Sequence, residues 1–178
     1  MRKILVIGIG AGNPDHLTLQ AIEAMNRADV FFVPDKGSEK AELRQLRLGM
    51  VQRFVRSDGY RMVDIAMPVR AKSDDYLGDV DAWHAAVAEA YRRAIAAELP
   101  EGATGALLVW GDPALYDSSL RILDRLRAGG LALECEVIPG ISSVQVLAAR
   151  HGIALNRIGE PVRLTTGRRL AEAVPDED

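Results

Sequence analysis

The sequence predicts an α/β fold: a mainly parallel sheet with flanking helices, followed by the start of a second α/β domain. Three observations carry that reading. Apolar runs of strand length alternate with stripes of helical spacing along most of the 178 residues. The runs Ile4–Ile9 and Ala106–Trp110 are continuously apolar, as strands covered on both faces are. Glycine-rich segments follow several of these runs, where loops at the carboxyl edge of such a sheet would lie.

Taken in order, Ile4–Ile9 is a first strand ending in glycines, and Pro14 lies near the start of a helix. Within that helix Leu19, Ile22 and Met25 fall at threefold spacing and are expected to face the sheet. Val30–Val33 is a second strand stopped by Pro34. Leu43, Leu46, Met50 and Phe54 form a core-facing stripe beginning after Ser38. Met62–Met67 reads as a strand, and Arg70–Gly78 as a polar loop. Trp83, Val87, Tyr91, Ile95 and Leu99 recur every four residues on one helix face. Leu120, Leu123 and Leu126 mark a further helix, stopped by Gly129 and Gly130, before the strand Leu133–Ile138. Ser142 is placed to cap the next helix, which Gly152 ends. These elements make residues 1–155 one α/β domain with right-handed crossovers. Residues 156–178 read as a linker and the beginning of an incomplete C-terminal domain, with Val162–Thr166 opening a new strand.

Composition narrows the function classes. Hydrophobic residues make up 48% and charged residues 26%, too rich a core for a disordered chain. The formal charge of −3, from 22 basic and 25 acidic side chains, argues against generic nucleic-acid binding. A single cysteine, Cys135, and no Cys/His cluster of ligand spacing leave no metal site to predict. No run is long enough to span a bilayer, and the N-terminal apolar run is too short for a signal peptide, so the expected compartment is cytoplasmic.

The chemistry is expected in three loops. Gly8-Ile9-Gly10-Ala11-Gly12 sits between a strand and a helix, with Asp35 farther on near the second strand's end. That invites a dinucleotide reading, but the spacing is not Gly-x-Gly-x-x-Gly. Gly111-Asp112-Pro113-Ala114-Leu115-Tyr116-Asp117 and Pro139-Gly140-Ile141-Ser142-Ser143 again follow strands. For Asp112 alone, capping the next helix is the plain structural alternative. Three such loops in one order point to one small ligand at one sheet edge.

Gly8-x-Gly10-Ala11-Gly12-Asn13-Pro14 with Leu17-Thr18-Leu19, then Gly111-Asp112-Pro113-x-x-Tyr116, then Pro139-Gly140-Ile141-Ser142-Ser143 resemble the tetrapyrrole methylases. That family comprises class III methyltransferases that use S-adenosyl-L-methionine and includes corrin-ring methylases. The resemblance covers the whole chain and implies two α/β domains with the cofactor between them. It implies cofactor contacts at Ala11, Trp110, Gly111, Asp112, Leu115, Ser142 and Ser143. Ala11 stands where the family usually has proline, and Asn13 where it usually has aspartate. The segments 31–37, 156–161 and 165–169 look most like the branch that methylates precorrin-5 at C1 with loss of acetate. A tetrapyrrole substrate and a homodimer of the full-length protein follow from that resemblance. It assigns no catalytic residue. Asp15, His16, Asp112, Tyr116 and Asp117 are the polar groups near the expected cleft. Lys36, Arg44, Arg47, Arg168 and Arg169 are candidates for the substrate's carboxylates. A methylase of another precorrin or tetrapyrrole or of the diphthamide precursor, a cofactor-binding fragment without activity and a nicotinamide enzyme are the competing readings.

Overall fold

The computed structural model describes residues 1–35, 41–69 and 76–167. Two compact units emerge, Met1–Ser143 and Val144–Asp178. The first contains a five-stranded sheet whose pairings are all parallel. Its strands are β1 (Arg2–Gly8), β2 (Val30–Asp35), β3 (Arg61–Ala66), β4 (Thr104–Val109) and β5 (Leu133–Ile138), in the order β3-β2-β4-β1-β5. Helices α1 (Leu19–Met25), α2 (Ala41–Phe54), α3 (Tyr76–Glu98) and α4 (Ser119–Ala128) connect successive strands. A further helix, α5 (Ser143–His151), follows β5.

Alternating strand residues feed two cores. Leu5, Ile7, Phe31, Ala106 and Leu108 pack with Ala21, Ala24 and Met25 of α1 and with Met50 and Val51 of α2. Ile4, Val6, Phe32, Leu107 and Val109 pack with Val87, Tyr91 and Ile95 of α3 and with Ile122, Leu123 and Leu126 of α4. Beyond their first residues, strands β1 (from Ile4) and β4 (from Gly105) carry no polar side chain because both faces are covered. Phe31 and Phe32 point to opposite faces and are both fully buried, each worth on the order of 1.5–3 kcal/mol of transfer free energy.

Most elements lie where the pattern predicts, with three corrections. The segment after the first glycine loop is not one helix. Pro14–His16 is a short 3-10 turn, and α1 starts separately at Leu19, with the Thr18 hydroxyl accepting from the Ala21 N–H at 3.0 Å. That phase turns Leu19 outward, 79% exposed, and gives the sheet face to Ala21, Ala24 and Met25. Tyr76–Gly78 belong to α3 rather than to a loop, while residues 70–75 lie outside the described residues. Val162–Thr166 forms no strand: residues 152–167 are exposed and make no ladder with any of the described residues. A lone β-run without a neighbour leaves its N–H and C=O groups to water, so apolar β-propensity alone does not make a strand.

At the sheet's outer strand, the Glu136 carboxylate accepts from Arg27 (2.6 and 3.1 Å) and pairs with Lys3 at 2.6 Å. The Arg27 and then the Lys3 hydrogen bonds hold its pKa down at about 2. A depressed carboxylate stabilises the fold above its unfolded pKa, near 4.5, and that contribution disappears as pH falls through about 2. Glu136→Gln should therefore lower the melting temperature at pH 7 and change it little at pH 2. Thermal unfolding followed by circular dichroism at both pH values measures this.

Candidate functional site

The strand register sets three loops side by side. Gly8 of β1 pairs with Val109 of β4, and Ile7 with Ile138 of β5, so the central strands end level. Connections from β1 and β4 leave on opposite faces, since α1 and α4 belong to different cores. Adjacent strands whose connections diverge this way open a crevice at the carboxyl edge.

The loops touch through backbone. Gly10 N–H donates to the Gly111 carbonyl (3.2 Å), and Gly111 N–H to the Gly10 carbonyl (2.8 Å). A Cβ on Gly140 would sit 2.2 Å from the Gly111 oxygen and 2.8 Å from the Gly8 Cα. A Cβ on Gly8 would sit 2.6 Å from the Gly140 nitrogen. These approaches are possible only because neither residue has a side chain.

Asp112 locks the arrangement. Its Oδ1 accepts from the Ala114 N–H at 2.8 Å, turning its own loop. Its Oδ2 accepts from the Gly140 N–H at 2.9 Å, reaching 28 residues along the chain. Asp112 is thus not the cap of α4. The N-cap is Ser118, whose side chain makes no cap bond, and Asp117 just before it accepts the Ser119 N–H on Oδ1 at 2.6 Å.

Of the residues that the resemblance points to, Ala11, Trp110, Gly111, Asp112 and Leu115 lie on the first two loops, and Ser142 and Ser143 close the third. The Trp110 indole is 37% exposed and lies over Gly12, where a Cβ would meet its ring at 3.0 Å. Ser142 is buried, its Cα 3.9 Å from the Cβ position of Gly111, whereas Ser143 is exposed. Leu115 N–H donates to the Asp112 carbonyl at 3.1 Å. Next to it Tyr116, 69% exposed, holds a φ of 51°, a left-handed conformation unusual outside glycine.

The remaining polar candidates separate. Asp15 is exposed and faces Arg53 at 3.4 Å. The His16 ring packs its Cβ under Gly10, and its Nδ1 is buried without a hydrogen-bond partner among the described residues. Arg44 makes a bidentate pair with Asp64 (2.9 and 2.7 Å), which raises its pKa and lowers that of Asp64. Arg47 instead turns inward and donates from Nε to the Leu108 carbonyl at 2.9 Å. Lys36, Arg168 and Arg169 lie outside the described residues, as does Ser38. Sequence reasoning missed the Asp112–Gly140 bond and the inward turn of Arg47, neither of which has a local signature.

A family model described as Tetrapyrrole (Corrin/Porphyrin) Methylases matches residues 3–177. The chain belongs to the tetrapyrrole methylases. A Sinorhizobium tetrapyrrole methylase, precorrin-6A synthase [deacetylating], is 52% identical over 99% of this chain and 69% of its own length. The Sinorhizobium precorrin-2 C(20)-methyltransferase is 28% identical over 96% of the chain and 66% of its own. Among solved structures, a cobalamin synthesis related protein of Corynebacterium diphtheriae superposes with a TM-score of 0.76 at 40% identity. That match covers 97% of this chain and 67% of the other. The chain thus spans about two thirds of the length of each of these proteins. No helix among the described residues is long and apolar enough to cross a membrane.

Gly140→Ala should cost roughly 1–3 kcal/mol or more, because the obstacle is backbone rather than a movable side chain. Alanine at Gly49, whose Cβ position meets nothing within 4 Å, should leave stability the same or raise it slightly. Urea unfolding of the two variants measures the contrast.

Proposed function

We propose that this chain acts in methyl transfer from S-adenosyl-L-methionine to C1 of precorrin-5, with release of acetate, giving precorrin-6A. The observation that carries the reading is the 52% identity to a precorrin-6A synthase over 99% of the chain. The loop geometry supports it from the site side. We further propose that residues 1–155 are the N-terminal methylase domain and that 156–178 lead toward a second α/β domain.

The residues present fit such a cofactor. Three glycine loops meet backbone to backbone at the sheet edge, and the Cβ position of Gly111 has nothing nearer than 3.9 Å. An exposed indole stands beside them, and so does Ser143 at the start of α5. Ala11, Trp110, Gly111, Leu115, Ser142 and Ser143 would hold the cofactor, and Asp112 would act by positioning the loops that carry them. Bound there, the sulfonium supplies an electrophilic methyl group to an electron-rich ring carbon. The protein's share is then positioning and exclusion of water rather than strong activation. Acetate release consumes one water, whose oxygen enters the acetate, and so calls for a group that activates that water or donates a proton. Asp112, Asp117 and Asp15 are engaged by backbone N–H groups or Arg53. That leaves His16 and Tyr116 as the side chains to test.

Transfer of labelled methyl from S-adenosylmethionine should occur with precorrin-5 and yield acetate with the methylated product. Label entering precorrin-2 instead would transfer the reading to another member of the family. Asp112→Ala should weaken S-adenosylhomocysteine binding by about tenfold or more in calorimetry, the worth of a charge-assisted bond that fixes two loops. An unaltered affinity would remove Asp112 from the site.

A further inference from the structure

Beyond the residues proposed to hold the cofactor, a cavity of about 110 Å³ opens between the sheet and helices α2, α3 and α4, with Asp117 at the end of the second loop on its wall. Arg47, Tyr91, Asp117, Trp83, Val109 and Ile122 are among its lining residues. It is roomy enough for several water molecules or one small organic group. None of Ala11, Trp110, Gly111, Ser142 or Ser143 lines it.

Arg47 is the unusual member. It is anchored by backbone carbonyls, from Nε to Leu108 (2.9 Å) and from Nη1 to Leu43 (3.4 Å). Among the described residues no carboxylate lies within ion-pair distance of it. Arg44 by contrast is fully paired with Asp64. Burial pushes the Arg47 guanidinium pKa down, with Asp117 and Tyr91 acting against that only at longer range. A guanidinium has five N–H donors, and two backbone bonds leave some of them for a ligand. A desolvated cation without a paired anion is costly, and a bound anion recovers that cost.

We propose that this cavity is a subsite for a single small carboxylate, held by the Arg47 guanidinium and the Tyr91 hydroxyl. Burial raises the Tyr91 pKa, so its phenol stays protonated and available as a donor. Trp83, Val109 and Ile122 give an apolar wall suited to a methyl or methylene stem. Asp117, the negative group at the lining, disfavours a second carboxylate and sets the limit at one. The ligand class is a carboxymethyl group. It comes either from an acetate arm of a polycarboxylate tetrapyrrole or from free acetate, and the first source rests on the function proposed above.

The test is a nitrogen-15 NMR titration of the full chain with sodium acetate at constant ionic strength. It follows the Trp83 indole N–H, which donates to the Pro68 carbonyl at 2.8 Å, and the Arg47 Nε–H. Acetate should give saturable shifts at both, and acetamide, its neutral counterpart, none. Arg47→Gln should weaken acetate binding at least about tenfold. Tyr91→Phe should weaken it severalfold, and Arg92→Gln, on the exposed face of α3, should leave it the same. Where Arg47→Gln loses its native circular dichroism, Tyr91→Phe carries the test. Equal shifts with acetamide, or full acetate affinity in a folded Arg47→Gln or Tyr91→Phe protein, would overturn the subsite. No methyl donor or tetrapyrrole is needed, so failure here is distinct from failure of the methyltransferase reading. Displacement of acetate by a polycarboxylate porphyrin assigns the subsite to a substrate arm. Simultaneous binding of the two assigns it to free acetate.

Discussion

The carboxylate of Asp112 accepts one N–H from its own loop and another from Gly140, 28 residues away. That second bond holds the third loop against the first two, where Gly8 and Gly140 approach with no room for a Cβ. A buried or half-buried carboxylate satisfied by backbone N–H groups is a strong fixed point, because its release would strand both charge and donors. The cofactor ledge proposed at Ala11, Trp110, Gly111 and Ser142 would depend on this contact. So would the spacing of any ligand across the loops.

The constraint has its force because of the sheet beneath it. Strands β4, β1 and β5 end level, and two parallel cores hold them from both faces. Loops on such a base inherit its rigidity, so a few hydrogen bonds suffice to order them. The Arg47 cavity shares the second loop, since Val109 at the end of β4 and Asp117 are both among its lining residues. One strand end therefore serves two neighbouring features: a backbone ledge and a pocket of mixed polar and apolar lining.

The two-sided strands and the loop positions were legible in the sequence, since continuous apolar runs and glycines at their ends reflect strong local constraints. Helical phase was less so. Threefold spacing at Leu19, Ile22 and Met25 was compatible with several faces, and the Thr18 cap selected one that leaves Leu19 in water. Val162–Thr166 had β-propensity but makes no ladder with any of the described residues. Arg44 and Arg47 looked alike in sequence. Only their partners, Asp64 from β3 and the Leu108 carbonyl from β4, separate an ion-paired guanidinium from a half-buried one without a carboxylate partner among the described residues. The bond from Asp112 to Gly140 was invisible for the same reason: it joins residues that only the parallel register brings together.

The central claim is that the three tied loops form the cofactor ledge. Amide chemical-shift mapping with S-adenosylhomocysteine tests it most directly. Perturbations should concentrate at residues 8–12, 110–117 and 140–143, and in Asp112→Asn they should diminish together across all three loops. Shifts confined to one loop, or centred away from the β1, β4 and β5 ends, would contradict the account.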